Sequence, residues 1–257
     1  IFIFFFSAFA LEASPIILKS EKDIYGLGLH LDILEDKTKK LSINDVTSSK
    51  WLPNFKKSTE KVPNFGYSTS AFWIRIIVKN SSPKKNWLFS YNYYNQDRIT
   101  FFKKEKNKWI QKTTGDLYPL KSRELKERPF LFEITPGKKT TYYFRIEGTD
   151  HQVNLNLLTK ESFSKSNFNE FIYFAMFTGL VLGILIYNFF IFISTRSRSY
   201  LMYTMFLLFF WFFLSLDMGF GQLIFFENYP WFSNEGIAFF ISISAFFHLS
   251  FTLFYLD

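Results

Sequence analysis

Trp73 and Arg75 stand two positions apart in the run Ala71-Phe72-Trp73-Ile74-Arg75-Ile76-Ile77-Val78-Lys79, and Tyr143, Arg145 and Glu147 share the same spacing further along. A period of two places each set on one face of a strand. Aromatic faces stack on sugar rings, Arg and Glu bond hydroxyls, and the forked guanidinium also suits a carboxylate. These five residues form the candidate ligand-binding set, for a small molecule of carbohydrate or carboxylate type. The competing reading makes them core aromatics with an internal Arg–Glu pair. Little else suggests chemistry. His30 and His151 have no spaced carboxylates around them, cysteine is absent, and no phosphate loop, dinucleotide fingerprint or Ser/His/Asp arrangement occurs. The expectation is therefore no catalytic residue, no metal and no cofactor.

The elements that would hold these residues are strands. Across 14–170, short apolar-alternating runs are punctuated by Gly, Pro and Asn. Strands are expected at Ala71–Lys79, Trp87–Tyr94, Asp97–Lys103, Lys108–Lys112, Arg128–Ile134 and Thr140–Glu147. Spacing of roughly ten residues favours an all-β sandwich, with a jelly roll as the expected type. Without disulfides such a domain must fold on its apolar core alone.

Charge then divides the chain. Of 30 Lys and Arg residues, only Arg196 and Arg198 lie beyond Glu170. The remainder reads as three apolar runs, 171–193, 200–216 and 236–256, each near the roughly 20 residues needed to cross about 30 Å of hydrocarbon. An α-helical transmembrane bundle of three spans is expected, with the lipid bilayer as its partner. The loop Ser194–Ser199 is short and basic, whereas the loop Asp217–Glu235 carries acids and no Lys or Arg. Short basic loops stay in the cytoplasm, which puts residues 14–170 outside. Residues 1–13 agree, because their apolar run ends in small residues at Ala8–Ala10, as a signal peptide lacking its basic start would. The expected organisation is thus signal peptide 1–13, external β domain 14–165 and membrane region 171–257. The basic runs near Lys103 and Lys138 then lie in solvated turns and meet no nucleic acid.

Inside the first run, Gly179 and Gly183 form G-x-x-x-G, and Asn188 lies beside the same stripe. Small residues four apart admit a second backbone, so Gly179, Gly183 and Asn188 are the expected helix-packing residues, and a second copy of the chain is a candidate partner. His248 in the third run is expected to hold a helix pair. The outer loop, with Gly219-Phe220-Gly221 and Asn228-Tyr229-Pro230-Trp231, could touch the β domain and pass on its state.

The order Tyr25…Leu31-Asp32-Ile33…Leu41-Ser42-Ile43-Asn44-Asp45-Val46, Trp51, Pro63-Asn64-Phe65-Gly66-Tyr67-Ser68, Ala71–Arg75, Asn80 and Trp87 resembles one extracellular module. It is similar to the type 2 extracellular domain of bacterial seven-transmembrane receptors with diverse intracellular signalling modules. Gly179…Gly183…Tyr187-Asn188, Arg196–Leu201, Tyr203 and Gly219-Phe220-Gly221-Gln222…Pro230-Trp231 extend the resemblance through the membrane region. The resemblance implies a periplasmic jelly-roll sensor akin to carbohydrate-binding modules, seven helices and a cytoplasmic output domain. With three spans, the chain reads as truncated from seven and without its output. The expected role is a sensory receptor in the bacterial cytoplasmic membrane rather than an enzyme. The alternative is a membrane-anchored surface carbohydrate-binding or adhesion protein without signalling output.

Overall fold

The computed structural model describes residues 14–256, so the expected signal peptide at 1–13 lies outside the described residues. In chain order the strands are β1 (Ile16–Leu18), β2 (Ile24–Gly26), β3 (Leu31–Asp36), β4 (Lys56–Lys57), β5 (Asn64–Tyr67), β6 (Ala71–Asn80), β7 (Trp87–Tyr91), β8 (Arg98–Glu105), β9 (Lys108–Thr114), β10 (Phe130–Ile134), β11 (Thr140–Glu147), β12 (Asp150–Gln152) and β13 (Leu155–Leu158). A short helix α1 (Ile43–Val46) interrupts them, and α2 (Lys160–Thr195), α3 (Arg198–Asp217), α4 (Phe220–Ile224) and α5 (Pro230–Leu256) complete the order.

The large sheet runs β4-β3-β6-β11-β8-β9, and the second runs β10-β7-β13-β2. β6 is long enough to take two neighbours on one edge: β3 pairs antiparallel with its first half, and β1 pairs parallel with its last residues. The alternation of β6 has a direct consequence. Phe72, Ile74, Ile76 and Val78 point into one core with Trp87, Phe89 and Tyr91 of β7 and Phe130 and Phe132 of β10. The two sheets therefore face each other across a shared, aromatic-rich interior.

Local chemistry sets the element ends. β10 begins at Phe130, later than the expected Arg128, because Pro129 has no N–H for the ladder. At the β8–β9 hairpin, Lys106 and Asn107 both have positive φ, 45° and 67°, which matches the twist of a two-residue turn. Ser42 and Asp45 cap α1 reciprocally: Ser42 Oγ accepts from the Asp45 amide, and the Asp45 carboxylate accepts from the Ser42 amide at 2.8 Å.

Three helices, α2, α3 and α5, are long and apolar enough to cross a membrane. The helix α2 starts ahead of the apolar run, capped by Thr159, and its 36 residues extend about 54 Å at 1.5 Å per residue. That exceeds the hydrocarbon thickness of about 30 Å, so the helix is longer than one span requires. Similarly, α5 begins at Pro230, where proline is tolerated because the first turn needs no internal donor. The chain turns back between α2 and α3 through Arg196, whose φ of 57° ends the first helix.

Phe144 is fully buried and meets Phe89 and Phe132 of the second sheet and Phe101 of the neighbouring strand β8. Phe144→Ala is expected to destabilise the β domain by about 3–5 kcal/mol, read as a lower denaturation midpoint by tryptophan fluorescence.

Candidate functional site at the joint between β domain and membrane

The ladder between β6 and β11 brings four of the five candidate ligand residues together. Tyr143 lies opposite Arg75, and Arg145 lies opposite Trp73. Glu147 ends β11, with its carboxylate 3.0 Å from Arg145. This outer face of the large sheet is not an open groove, because the segment between Leu41 and Phe55 folds over it. Leu34, Val46, Phe55 and Phe102 pack with Trp73 and Tyr143 into a second core. Trp73, Arg75 and Tyr143 are 1, 5 and 5 % exposed as a result. Arg75 donates to Asp32 Oδ2 through two nitrogens, at 2.8 and 2.6 Å, and its guanidinium lies over the Phe55 ring.

The competing reading of core aromatics and internal ion pairs thus describes the packing. It leaves one feature unaccounted for. Trp73 Nε1, Arg145 Nε and Glu147 Oε2 are buried without a hydrogen-bond partner among the described residues. Arg98 Nε stands 3.6 Å from Glu147, an ion pair rather than a hydrogen bond. Two orphan donors and one orphan acceptor on one face are costly in a finished core.

The more extensive polar assembly lies where the β domain meets the outer loop of the helices. Arg128 is its centre. Burial beside Pro129 leaves its guanidinium between two rings, 4.6 Å from the centroid of Tyr94 and 4.4 Å from that of Phe220. It forms an ion pair with Glu170 of α2 and donates to the Met218 carbonyl at 3.3 Å. Phe220 in turn stacks on Phe174 of α2 with centroids 4.0 Å apart. One side chain of the β domain therefore touches α2, the end of α3 and α4.

Arg123 makes a second connection. It donates to the carbonyls of Glu127 and Arg128 and to Gln222 Oε1 of α4, while Gln222 Nε2 donates to the Tyr118 carbonyl at 3.2 Å. Burial lowers its pKa to about 10, against the pull of Asp116. The Leu120 amide donates to the Glu227 carbonyl at 3.0 Å, and Lys126 pairs with the Glu227 carboxylate at 2.5 Å. Asn95 donates to Asp217, and Asn234 donates to Asp116. Burial, with neighbouring Asp97 second, pushes the Asp116 carboxyl up to about 7.

Gly219 makes this close approach feasible. Its φ is 78°, and a β-carbon there would stand 2.9 Å from both Arg128 Cγ and Tyr94 Cγ. The composition of the outer loop marked it as a contact candidate, but nothing in the sequence singled out Arg123, Arg128 or Asp116, whose partners are remote in the chain. In the membrane, a β-carbon added at Gly179 or Gly183 would meet nothing within 4 Å, so neither packs against another described helix. Asn188 is buried, but its amide donates to the Ile184 carbonyl of its own helix. Trp211 instead joins α3 to α2, donating to Thr178 Oγ1 at 3.1 Å. His248 rests against the Phe206 ring, which joins α5 to α3. No group of three or more metal-ligating side chains occurs among the described residues.

A β domain docked on a membrane helix bundle through its loops is the architecture of a membrane receptor. The family model described as 7TMR-DISM extracellular 2 matches residues 28–159, and that described as 7TM diverse intracellular signalling matches residues 170–257. The chain belongs to the 7TMR-DISM family, as a multi-pass membrane protein with an extracellular β domain and part of the signalling module. Both matched modules are receptor and signalling parts rather than enzymes. No curated protein matches the chain.

Gly219→Ala adds a β-carbon at a positive φ, a strain of about 1–3 kcal/mol. The expected outcome is faster hydrogen exchange across residues 217–235, with the denaturation midpoint of the β domain unchanged.

Proposed function

We propose that this chain is the sensing end of a transmembrane receptor of the bacterial cytoplasmic membrane. A small ligand binds the extracellular β domain, and the change passes through the joint to the helices and on to a cytoplasmic output. The observation that carries this reading is Arg128, which ties one β-domain side chain to α2, α3 and α4 at once. A simple anchor needs no such linkage. The basic loop between α2 and α3 supports the orientation, with residues 14–165 as the sensor outside and 171–193, 200–216 and 236–256 as spans. Two facing sheets around one core support a jelly-roll sandwich for the sensor.

For recognition, the face with Trp73, Arg75, Tyr143, Arg145 and Glu147 is the proposed site. Its orphan donors and acceptor suit a neutral hydroxylated molecule, or a carboxylate held by the Arg side chains. Since the segment over it is a short capped helix and turns, a ligand would enter by displacing that cover. Such a ligand acts only if it binds the covered and uncovered states unequally. Gly179 and Gly183 are proposed to receive a further helix, from this molecule or a second copy, because their face is open.

Thermal stabilisation of the full chain by a panel of monosaccharides and small carboxylates tests the site. Trp73→Phe keeps an aromatic ring and removes one orphan donor, so the responding ligand should bind roughly tenfold more weakly, about 1.4 kcal/mol. An unchanged thermal shift in a folded Trp73/Arg75 double variant would remove this face from consideration. Arg128→Ala tests the joint: it removes two ring contacts worth about 1–2 kcal/mol each. Ligand affinity should stay the same while the ligand-dependent change in hydrogen exchange at residues 217–235 disappears.

A further inference from the structure

The joint contains a buried acid that the coupling described above does not use. Asp116 lies just beyond β9 and is 1 % exposed, with Oδ2 3.4 Å from Asn234 Nδ2 at the start of α5 and Oδ1 without a partner among the described residues. Beside it lies Asp97. The two chain segments are held in contact by their backbones, since the Asp116 amide donates to the Gln96 carbonyl at 2.9 Å. At Gly115 a β-carbon would stand 2.0 Å from the Asp97 carbonyl oxygen, so only glycine permits this approach. The carboxylates cannot easily separate while the β domain stays folded.

We propose that Asp116, with Asp97 beside it, is a proton-binding site that makes docking of the outer loop depend on external acidity. When Asp116 is protonated, the loop seats on the β domain and the helices are held. When it ionises, a bare charge is buried beside a second acid, and the seat is weakened. The ligand class is the proton itself, and the inference rests on the joint being the route from sensor to helices.

Burial and the neighbouring Asp97 set this direction, against weaker opposing groups. On the β-domain side, Asp97 raises the proton affinity of Asp116 and Arg123 lowers it, while Tyr93 lies within the field of Asp116. From α5, Asn234 donates to Asp116 and so lowers its proton affinity, while Glu235 raises that of Asp97. His151 and Lys39 act on Asp97 in the opposite sense. Burial is the largest influence on both acids and raises both. Undocking would readmit water to Asp116 and lower its pKa, while Asp97 stays beside it. A group whose pKa is higher in the docked state favours docking when protonated. Docking is therefore firmest below the undocked value and is lost as pH rises through about 7.

The absence of cysteine in the sequence makes the test direct. Lys121 and Asn228 flank the hydrogen bond from the Leu120 amide to the Glu227 carbonyl, so one reports the β domain and the other the loop. With both replaced by spin-labelled cysteine in the full chain, reconstituted in phospholipid nanodiscs, pulsed dipolar spectroscopy reads their separation. The measurement runs from about pH 5 to about pH 9, roughly two units either side of the midpoint. The expected result is a single short distance in acid and a growing long-distance population with a midpoint near 7. Asp116→Asn should hold the short distance throughout, and Asp97→Asn should move the midpoint to lower pH. A short distance that ignores pH, or a midpoint unmoved in Asp116→Asn, would overturn the proton site and leave the coupling route standing. A long distance at every pH would overturn both.

Discussion

A buried guanidinium must find partners, and Arg128 finds them on both sides of the joint, with only its Nε left unpaired among the described residues. Two aromatic rings cover its faces, while Glu170 and the Met218 carbonyl take its donors. The rest of the joint is arranged around that requirement. Gly219 leaves room for its stem, Phe220 stacks on Phe174 to form one wall, and Glu170 supplies the carboxylate from α2. A buried cation held by an ion pair specifies a geometry more sharply than apolar contact does, because misplacing it by an ångström or two leaves its charge unpaired. The β domain and helices are thereby held in one posture.

The large sheet shows a different balance. Both faces of β6 are buried: one packs on the second sheet, and the other packs under the segment that includes α1. The inner face is an apolar core with its aromatic rings in edge, tilted and stacked contacts. The outer face mixes rings with Arg75–Asp32 and Arg145–Glu147 pairs and retains orphan polar atoms. Polar groups left unmatched in a buried layer lower its stability, since an apolar replacement would pack at lower cost.

Legibility in the sequence tracks the length of each pattern. The ten residues of β6 show their period clearly, and the expected Ala71–Lys79 differs from the observed strand by one residue. Thr140–Glu147 matches the observed β11. By contrast, β1, β2 and β12 have three residues each, too few to display any period. The apolar runs located all three long helices, but not the polar first turns of α2, because a helix above the membrane needs no apolar residues. The five candidate ligand residues were placed on shared faces by alternation alone. Their cover was not foreseeable, because the Leu41–Phe55 segment lies far from β11 in sequence.

Composition along the chain was enough to locate the division at Glu170 and the membrane-spanning character of the residues beyond it. Each is a property of a local window, dictated by the free energy of moving apolar or charged groups between water and lipid. Which charges matter was decided by folding. Arg128 meets Met218 across 90 positions and Arg123 meets Gln222 across 99, so no local pattern distinguishes them from the other basic residues. Only the packing of loops from separate elements removes water from these groups, and that loss of water gives them their partners and their strength.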